Sequence, residues 1–166
     1  MQRHARNTDF ERRALNGPLR RLSSAQARQY DEHGYFLLEG VFSTDELAAV
    51  RDAIDPIEHE GEEILRRRDG GKTFIAQADA ITFSIHLVKR SQVLRDFSCH
   101  PVFRDIAQDT LWPGARLYWD QAVYKKPGNP EEFPWHQDNG YTFTVPQQHL
   151  TCWVPLNDAT LDNGCP

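Results

Sequence analysis

The chain has 166 residues, of which 39% are hydrophobic and 26% charged. That is one domain's worth, long enough to bury a core and too apolar for a disordered chain. Its net charge of −5 counts against sequence-independent nucleic-acid binding, which needs a concentrated basic surface.

Residues 1–22 are basic, polar and poor in periodic apolar positions, and read as a flexible leader. "SSAQARQYDEHG" then predicts a helix, with Ser23 or Ser24 as its cap and Gly34 where a left-handed residue ends it. "YFLLEGVF" (35–42) predicts a short strand interrupted at Gly40. In "STDE", Ser43 and Glu46 form a capping box. Leu47, Val50, Ile54 and Ile57 follow at spacings of three and four, one apolar stripe on a helix that Pro56 is expected to kink or restart. "EHEGEEILRRRDGG" is expected to lead into a loop.

"TFIAQADAITFSIHLV" leans toward β structure. "SQVLRDFSCHPVFRDIAQDTLW" is helical with a break at Pro101, and Val93, Leu94, Phe97, Val102, Phe103 and Ile106 make its apolar face. "ARLYWDQAVYKKPG" predicts a strand ended by Pro127-Gly128. "EEFPWHQD" and "HLTCWVPLND" predict two more, the latter with Leu150, Cys152, Val154 and Leu156 on one face. Helices followed by closely spaced strands indicate an α+β chain whose second half is an antiparallel sandwich or barrel.

The basic runs Arg12-Arg13, Arg20-Arg21 and Arg66-Arg67-Arg68 read as solvated surface. Cys99, Cys152 and Cys165 lack C-x-x-C spacing and suit free thiols in a reducing compartment. No stretch reaches the roughly 20 apolar residues of a membrane span, and the N-terminus lacks a signal-peptide core. A cytoplasmic protein with no membrane partner is expected. "GGKT" (70–73) is not a phosphate loop, because Arg66 stands where the first glycine belongs and no strand precedes it.

His136-x-Asp138, in "PWHQDNGY", is the motif with chemical content. With 7 histidines and 14 aspartates in the chain, chance supplies about 0.6 such pairs, so the spacing alone decides nothing. Alternate residues of a strand point the same way, so this imidazole and carboxylate can converge on one ion. Iron, manganese or zinc suits such a pair, and two histidines with one carboxylate typify non-haem iron(II) oxygenases. The polar end of an ordinary strand is the other reading.

Five segments in order resemble the phytanoyl-CoA dioxygenase family of iron(II)- and 2-oxoglutarate-dependent oxygenases. They are "YDEHGYFLLEGVFSTDELAAVRDAID" (30–55), "LYWDQAVYKKPG" (117–128), "FPWHQDNGY" (133–141), "LTCWVPLNDAT" (150–160) and "DNGCP" (162–166). The resemblance implies N-terminal helices followed by the first half of a double-stranded β-helix, a cupin-like jelly-roll, over residues 23–166. It makes His136 and Asp138 the first two metal ligands and Trp153 an aromatic of the 2-oxoglutarate pocket. Gln121 and Lys126 fall where family members place polar cosubstrate or substrate contacts, and His86 lies in a region that reaches the pocket. A buried core role for Trp153, and backbone-satisfying roles for Gln121 and His86, are the alternatives. Asn163-Gly164 reads as a turn opening a further strand.

The implied cofactors are Fe(II), 2-oxoglutarate as cosubstrate and O2, with a small organic or acyl molecule hydroxylated. The family's distal histidine and its 2-oxoglutarate-binding arginine lie well downstream of the Asn-Gly turn, and no residue here matches them. His149 comes too early, although it can serve as a surrogate. The sequence-based expectation is therefore an incomplete jelly-roll, poorly soluble and without turnover by itself. The alternative is a truncated, non-catalytic, cupin-like metal or ligand binder.

Overall fold

A computed structural model describes residues 14–15, 17–111, 114–128, 135–142, 144–145, 147–163 and 165. The described chain is α+β, with N-terminal helices and a small antiparallel sheet. It divides into two compact units, residues 1–39, 101–115 and 133–152 in the first and 40–100, 116–132 and 153–166 in the second.

In the first unit, α1 (Ser24–His33) begins as its sequence dictates. Ser23 accepts from the Gln26 N–H, Gln26 reaches back to the Ser23 N–H, and Gly34 closes the helix at φ 81°. Residues 35–39 form no strand. The Leu37 carbonyl accepts from Gln26 Nε2 at 2.6 Å instead of from a strand, and glycines at positive φ (Gly34, Gly40) stand on either side of the segment. The other long element is α4 (Pro101–Thr110), which buries Val102 and Ile106. Asp109 on α4 accepts from three successive backbone N–H groups, Arg20 and Arg21 at 2.8 Å and Leu22 at 2.9 Å. The last residues of the expected leader are thus fastened to a helix, and Leu22 is buried. Most of that leader, residues 1–13 and 16, lies outside the described residues.

The second unit is organised by α2 (Thr44–Arg66), capped by the Ser43–Glu46 box. The helix is continuous through Pro56 and on to Arg66, so it does not restart there, and it takes in most of the charged stretch expected to lead into a loop. A proline inside a helix costs about 3 kcal/mol. Ile54, Ile57 and Leu65 are buried on the same stripe, each contributing roughly 1.5–3 kcal/mol, so burial outweighs the defect. The sheet has the order β1 (Lys72–Thr73), β2 (Ala76–Gln77), β3 (Ile81–Ile85) and β4 (Gln121–Lys125), all antiparallel. β3 therefore pairs with a strand that follows it in sequence by some 35 residues, from Ile81↔Lys125 to Ile85↔Gln121. The sheet draws on both halves of the chain rather than on the second half alone. The helical stretch between these strands breaks at Pro101 as expected, α3 (Gln92–Ser98) lying before it. Val50, Ile54, Ile57, Leu87, Leu94 and Ala122 form the core, with Ala53, Phe97, Tyr124 and Leu156 packed against it.

The expected strand over 149–158 is not formed. Pro155 has no N–H to give, and the Leu156 carbonyl accepts from the Arg51 guanidinium instead of from a strand. Of "EEFPWHQD", residues 131–134 lie outside the described residues and 135–137 are not in a strand.

Candidate metal centre and cosubstrate contacts

His136 and Asp138 sit in the first unit, on a loop that tightens into a 3-10 turn over Asp138–Tyr141. The Gly140 N–H bonds the Gln137 carbonyl at 2.8 Å and closes that turn. Convergence thus comes from a turn, not from strand alternation. His136 Nε2 lies 3.3 Å from Asp138 Oδ1, and both side chains reach solvent. The Thr151 hydroxyl donates to the other carboxylate oxygen, Oδ2, at 2.6 Å. A hydrogen-bonded partner on a ligating carboxylate holds its orientation.

Two adjacent ligands of an octahedral ion with bonds of about 2.1 Å stand roughly 3 Å apart. The 3.3 Å separation of Nε2 and Oδ1 fits one edge of such an octahedron. Among the described residues no group of three or more His, Cys, Asp and Glu could hold a metal ion. The fit is therefore to a two-residue edge.

The other expected contacts lie in the second unit. Side chains alternate along β4, and the alternation separates two of them. Ala122 is buried and Tyr124 partly so, while Gln121 and Val123 are exposed. Lys126 continues the ladder through its N–H to the Ala80 carbonyl, 2.8 Å. Its ammonium lies 2.9 Å from Glu58 and 3.1 Å from Glu62, both on α2. Lys126 thus faces the helix and Gln121 faces the opposite side of the sheet. The two lie on opposite faces of the sheet, and Lys126 clips the sheet to the helix.

At the Gln121 end of the strand, Gln121 Oε1 accepts from Trp119 Nε1 at 3.0 Å. The Trp119 ring meets His86 edge-on at 4.8 Å. His86 is in the left-handed region at φ 57°, where non-glycine residues are uncommon, and its N–H bonds the Asp120 carbonyl at 3.0 Å. His86, Trp119 and Gln121 therefore form one aromatic-polar group. Trp153 is 60% exposed rather than a core aromatic.

Sequence reasoning missed the polar stripe of α2. Arg51, Asp55, Glu58 and Glu62 recur at spacings of four, three and four beside the apolar stripe. Arg51 reaches the Leu156 carbonyl, Asp55 accepts from the Tyr124 hydroxyl, Glu58 from Thr82 at 2.8 Å, and Glu62 from the Asp79 N–H at 3.0 Å. The periodicity was readable; its partners were not. Burial alone raises the Glu62 pKa, but the Asp79 N–H, the Lys126 ammonium and Arg66 together bring it below the ordinary carboxylate value. Burial likewise pulls Lys126 down, and its bonds to Glu58 and Glu62 more than reverse this. Burial first, then the bond to Asp55, pushes the Tyr124 hydroxyl up.

Residues 30–166 match the family described as phytanoyl-CoA dioxygenase (PhyH). The chain belongs to the phytanoyl-CoA dioxygenase family. Among curated relatives, a phytanoyl-CoA dioxygenase of Arabidopsis thaliana is 24% identical, the match covering 87% of this chain and 62% of the relative. Phytanoyl-CoA dioxygenase domain-containing protein 1 of Bos taurus is 26% identical over 87% of this chain and 63% of its own length. An ectoine dioxygenase of Bordetella parapertussis is 30% identical, covering 86% of this chain and 47% of the relative. The chain thus spans somewhat over three-fifths of the length of the first two of these phytanoyl-CoA dioxygenase relatives. No solved structure matches it. Among the described residues no helix is long and apolar enough to cross a membrane.

Proposed function

We propose that the protein is a non-haem iron(II)- and 2-oxoglutarate-dependent dioxygenase that hydroxylates a small organic or acyl substrate, on a jelly-roll scaffold to which residues 23–166 contribute. The observation that carries this reading is the 3.3 Å approach of His136 Nε2 to Asp138 Oδ1 inside the segment that matches a family of dioxygenases. His136 and Asp138 are the residues of this chain that would hold the iron, which when bound supplies the activation of O2 coupled to decarboxylation of 2-oxoglutarate. Thr151 keeps the Asp138 carboxylate turned so that Oδ1 stays on the His136 side. A neutral imidazole and one carboxylate leave a divalent ion net positive, which favours an anionic cosubstrate. Gln121, held by Trp119, and the exposed Trp153 are assigned as cosubstrate or substrate contacts on the family resemblance alone.

A test that does not require turnover is manganese(II) titration followed by paramagnetic broadening of amide resonances. Broadening centred on residues 135–138 and 151, lost in His136→Ala, is the expected result. Broadening unchanged in that variant removes the metal assignment. A non-catalytic metal binder is the second reading, favoured by the two-donor set among the described residues. Iron(II)-dependent succinate formation from 2-oxoglutarate by the 166-residue chain would exclude it.

A further inference from the structure

Arg66-Arg67-Arg68, read from the sequence as surface, and "GGKT", rejected as a phosphate loop, meet at one place in the second unit. The end of α2, the β1–β2 hairpin and β3 form an open cleft of about 200 Å³, lined among others by Ile64, Leu65, Arg68, Thr73, Ala76 and Ser84. Ile64, Arg68 and Thr73 are exposed to solvent there, and Leu65 and Ser84 are buried. The lining combines apolar Ile64, Leu65 and Ala76 with polar Arg68, Thr73 and Ser84.

The three arginines are not equivalent. Arg66 is bound to Glu63 at 2.8 Å and Asp79 at 2.6 Å, with Glu62 at 3.5 Å. Arg67 points to Glu63, at 3.9 Å. Arg68 has no carboxylate partner among the described residues. Its guanidinium is instead fixed at the cleft by Thr73 Oγ1, 3.0 Å away. The Gly71 N–H bonds the Arg68 carbonyl at 3.0 Å, and Gly70 and Gly71 at positive φ turn the chain back so that Thr73 arrives beside it. The glycines that do not make a phosphate loop thus make the turn that orients this arginine.

We propose that this cleft binds a small monocarboxylate with an apolar body of roughly benzene size, its carboxylate on Arg68 and Thr73 and its body against Ile64, Leu65 and Ala76. A planar guanidinium receives a carboxylate through two parallel hydrogen bonds, and the half-exposed Ile64 beside Leu65 and Ala76 offers apolar surface for the body. The choice of a single negative charge follows from the surroundings. Glu62 lies close by on α2, already bonded to Arg66 and Lys126, and the C-terminal end of the helix carries partial negative charge. One guanidinium offsets one carboxylate there, not a dianion. The site is independent of the reading given to His136 and Asp138.

The test titrates the 166-residue chain with phenylacetate, following amide chemical shifts, with phenylacetamide and inorganic phosphate as parallel probes. Saturable shifts for residues 61–84 with phenylacetate are expected, with phosphate and the neutral amide weaker by roughly tenfold or more. Arg68→Gln, an exposed position whose fold is checked by circular dichroism, should weaken phenylacetate at least tenfold, and Arg67→Gln less than twofold. Ala76→Leu, which fills the cleft, should abolish binding. Absence of saturation by about 10 mM, equal binding of phenylacetamide, tighter binding of phosphate, or equal effects of the two arginine variants would each overturn the proposal.

Discussion

Lys126→Met removes the cation of the clip between β4 and α2 while keeping the length of an unbranched side chain. Glu58 and Glu62 are almost fully covered, with side-chain exposures of 8% and 7%, and Lys126 is 28% exposed. Taking one partner from a buried ion pair costs about 3–5 kcal/mol, because the charge left behind has lost both water and its counter-ion. Here Thr82 still donates to Glu58, and the Asp79 N–H and Arg66 still serve Glu62. These partners, and the partial hydration of Lys126, reduce the expected loss to about 2–3 kcal/mol. With a urea m-value of about 2 kcal/mol/M, the midpoint falls by about 1–1.5 M. Equilibrium urea unfolding of the wild type, Lys126→Met, Glu58→Gln and the double variant measures this directly. The double variant should fall short of additivity by about 1 kcal/mol or more. A midpoint shift below about 0.3 M, together with additive single effects, would refute the clip.

The same network sets a pH window. The folded Glu62 pKa lies below the ordinary 4.5, so its contribution is present above that value and is lost as pH falls through the folded pKa; the folded Lys126 pKa lies above 10.5, so its contribution is present below 10.5 and lost above it. Urea midpoints should therefore hold between these limits and decline outside them, with a shallower acid limb in Glu62→Gln. Asp109→Ala leaves three backbone N–H groups of residues 20–22 without their acceptor; a loss of about 1–2 kcal/mol and several-fold faster tryptic cleavage after Arg20 and Arg21 are expected, and unchanged cleavage would show that the segment is held otherwise. Ile54→Ala, at a position 3% exposed in the core, should cost about 2–5 kcal/mol in the same urea assay, and a loss under 1 kcal/mol would place the core elsewhere.

Local signals were the legible part of this fold. Ser23, Gly34 and the Ser43–Glu46 box set helix ends through contacts within four residues, so a short window contains the whole cause. Pro101 divides α3 from α4 for the same reason. Pairing was not legible. The segment 35–42 has strand composition but forms no strand, and 149–158 has the right alternation but gives its Leu156 carbonyl to Arg51, 105 residues away. Conversely β3 finds its partner beyond α3 and α4, a choice made by packing on α2 rather than by either strand's composition. The helix does not restart at Pro56 because Ile54 and Ile57 are buried on both sides of it.

The face of a strand is where sequence and site part company. Gln121 and Lys126 are five positions apart, so an unbroken strand must send them to opposite faces. That much followed from counting, once both were placed on the same ladder. Which face holds the helix could not be counted. It is decided by Glu58 and Glu62, whose stripe on α2 needs a cation and finds it in Lys126. Once that pairing is made, the odd positions Gln121 and Val123, with Ile85 opposite Gln121 in register, are turned to the exposed side. The buried charges on α2 therefore do more than hold a strand. By claiming the one lysine of the even face, they determine that Gln121 and Trp119 present the aromatic-polar group on the other. His136 and Asp138 illustrate the converse: the spacing of two fitted a strand, yet a turn closed by Gly140 brings the same two atoms together.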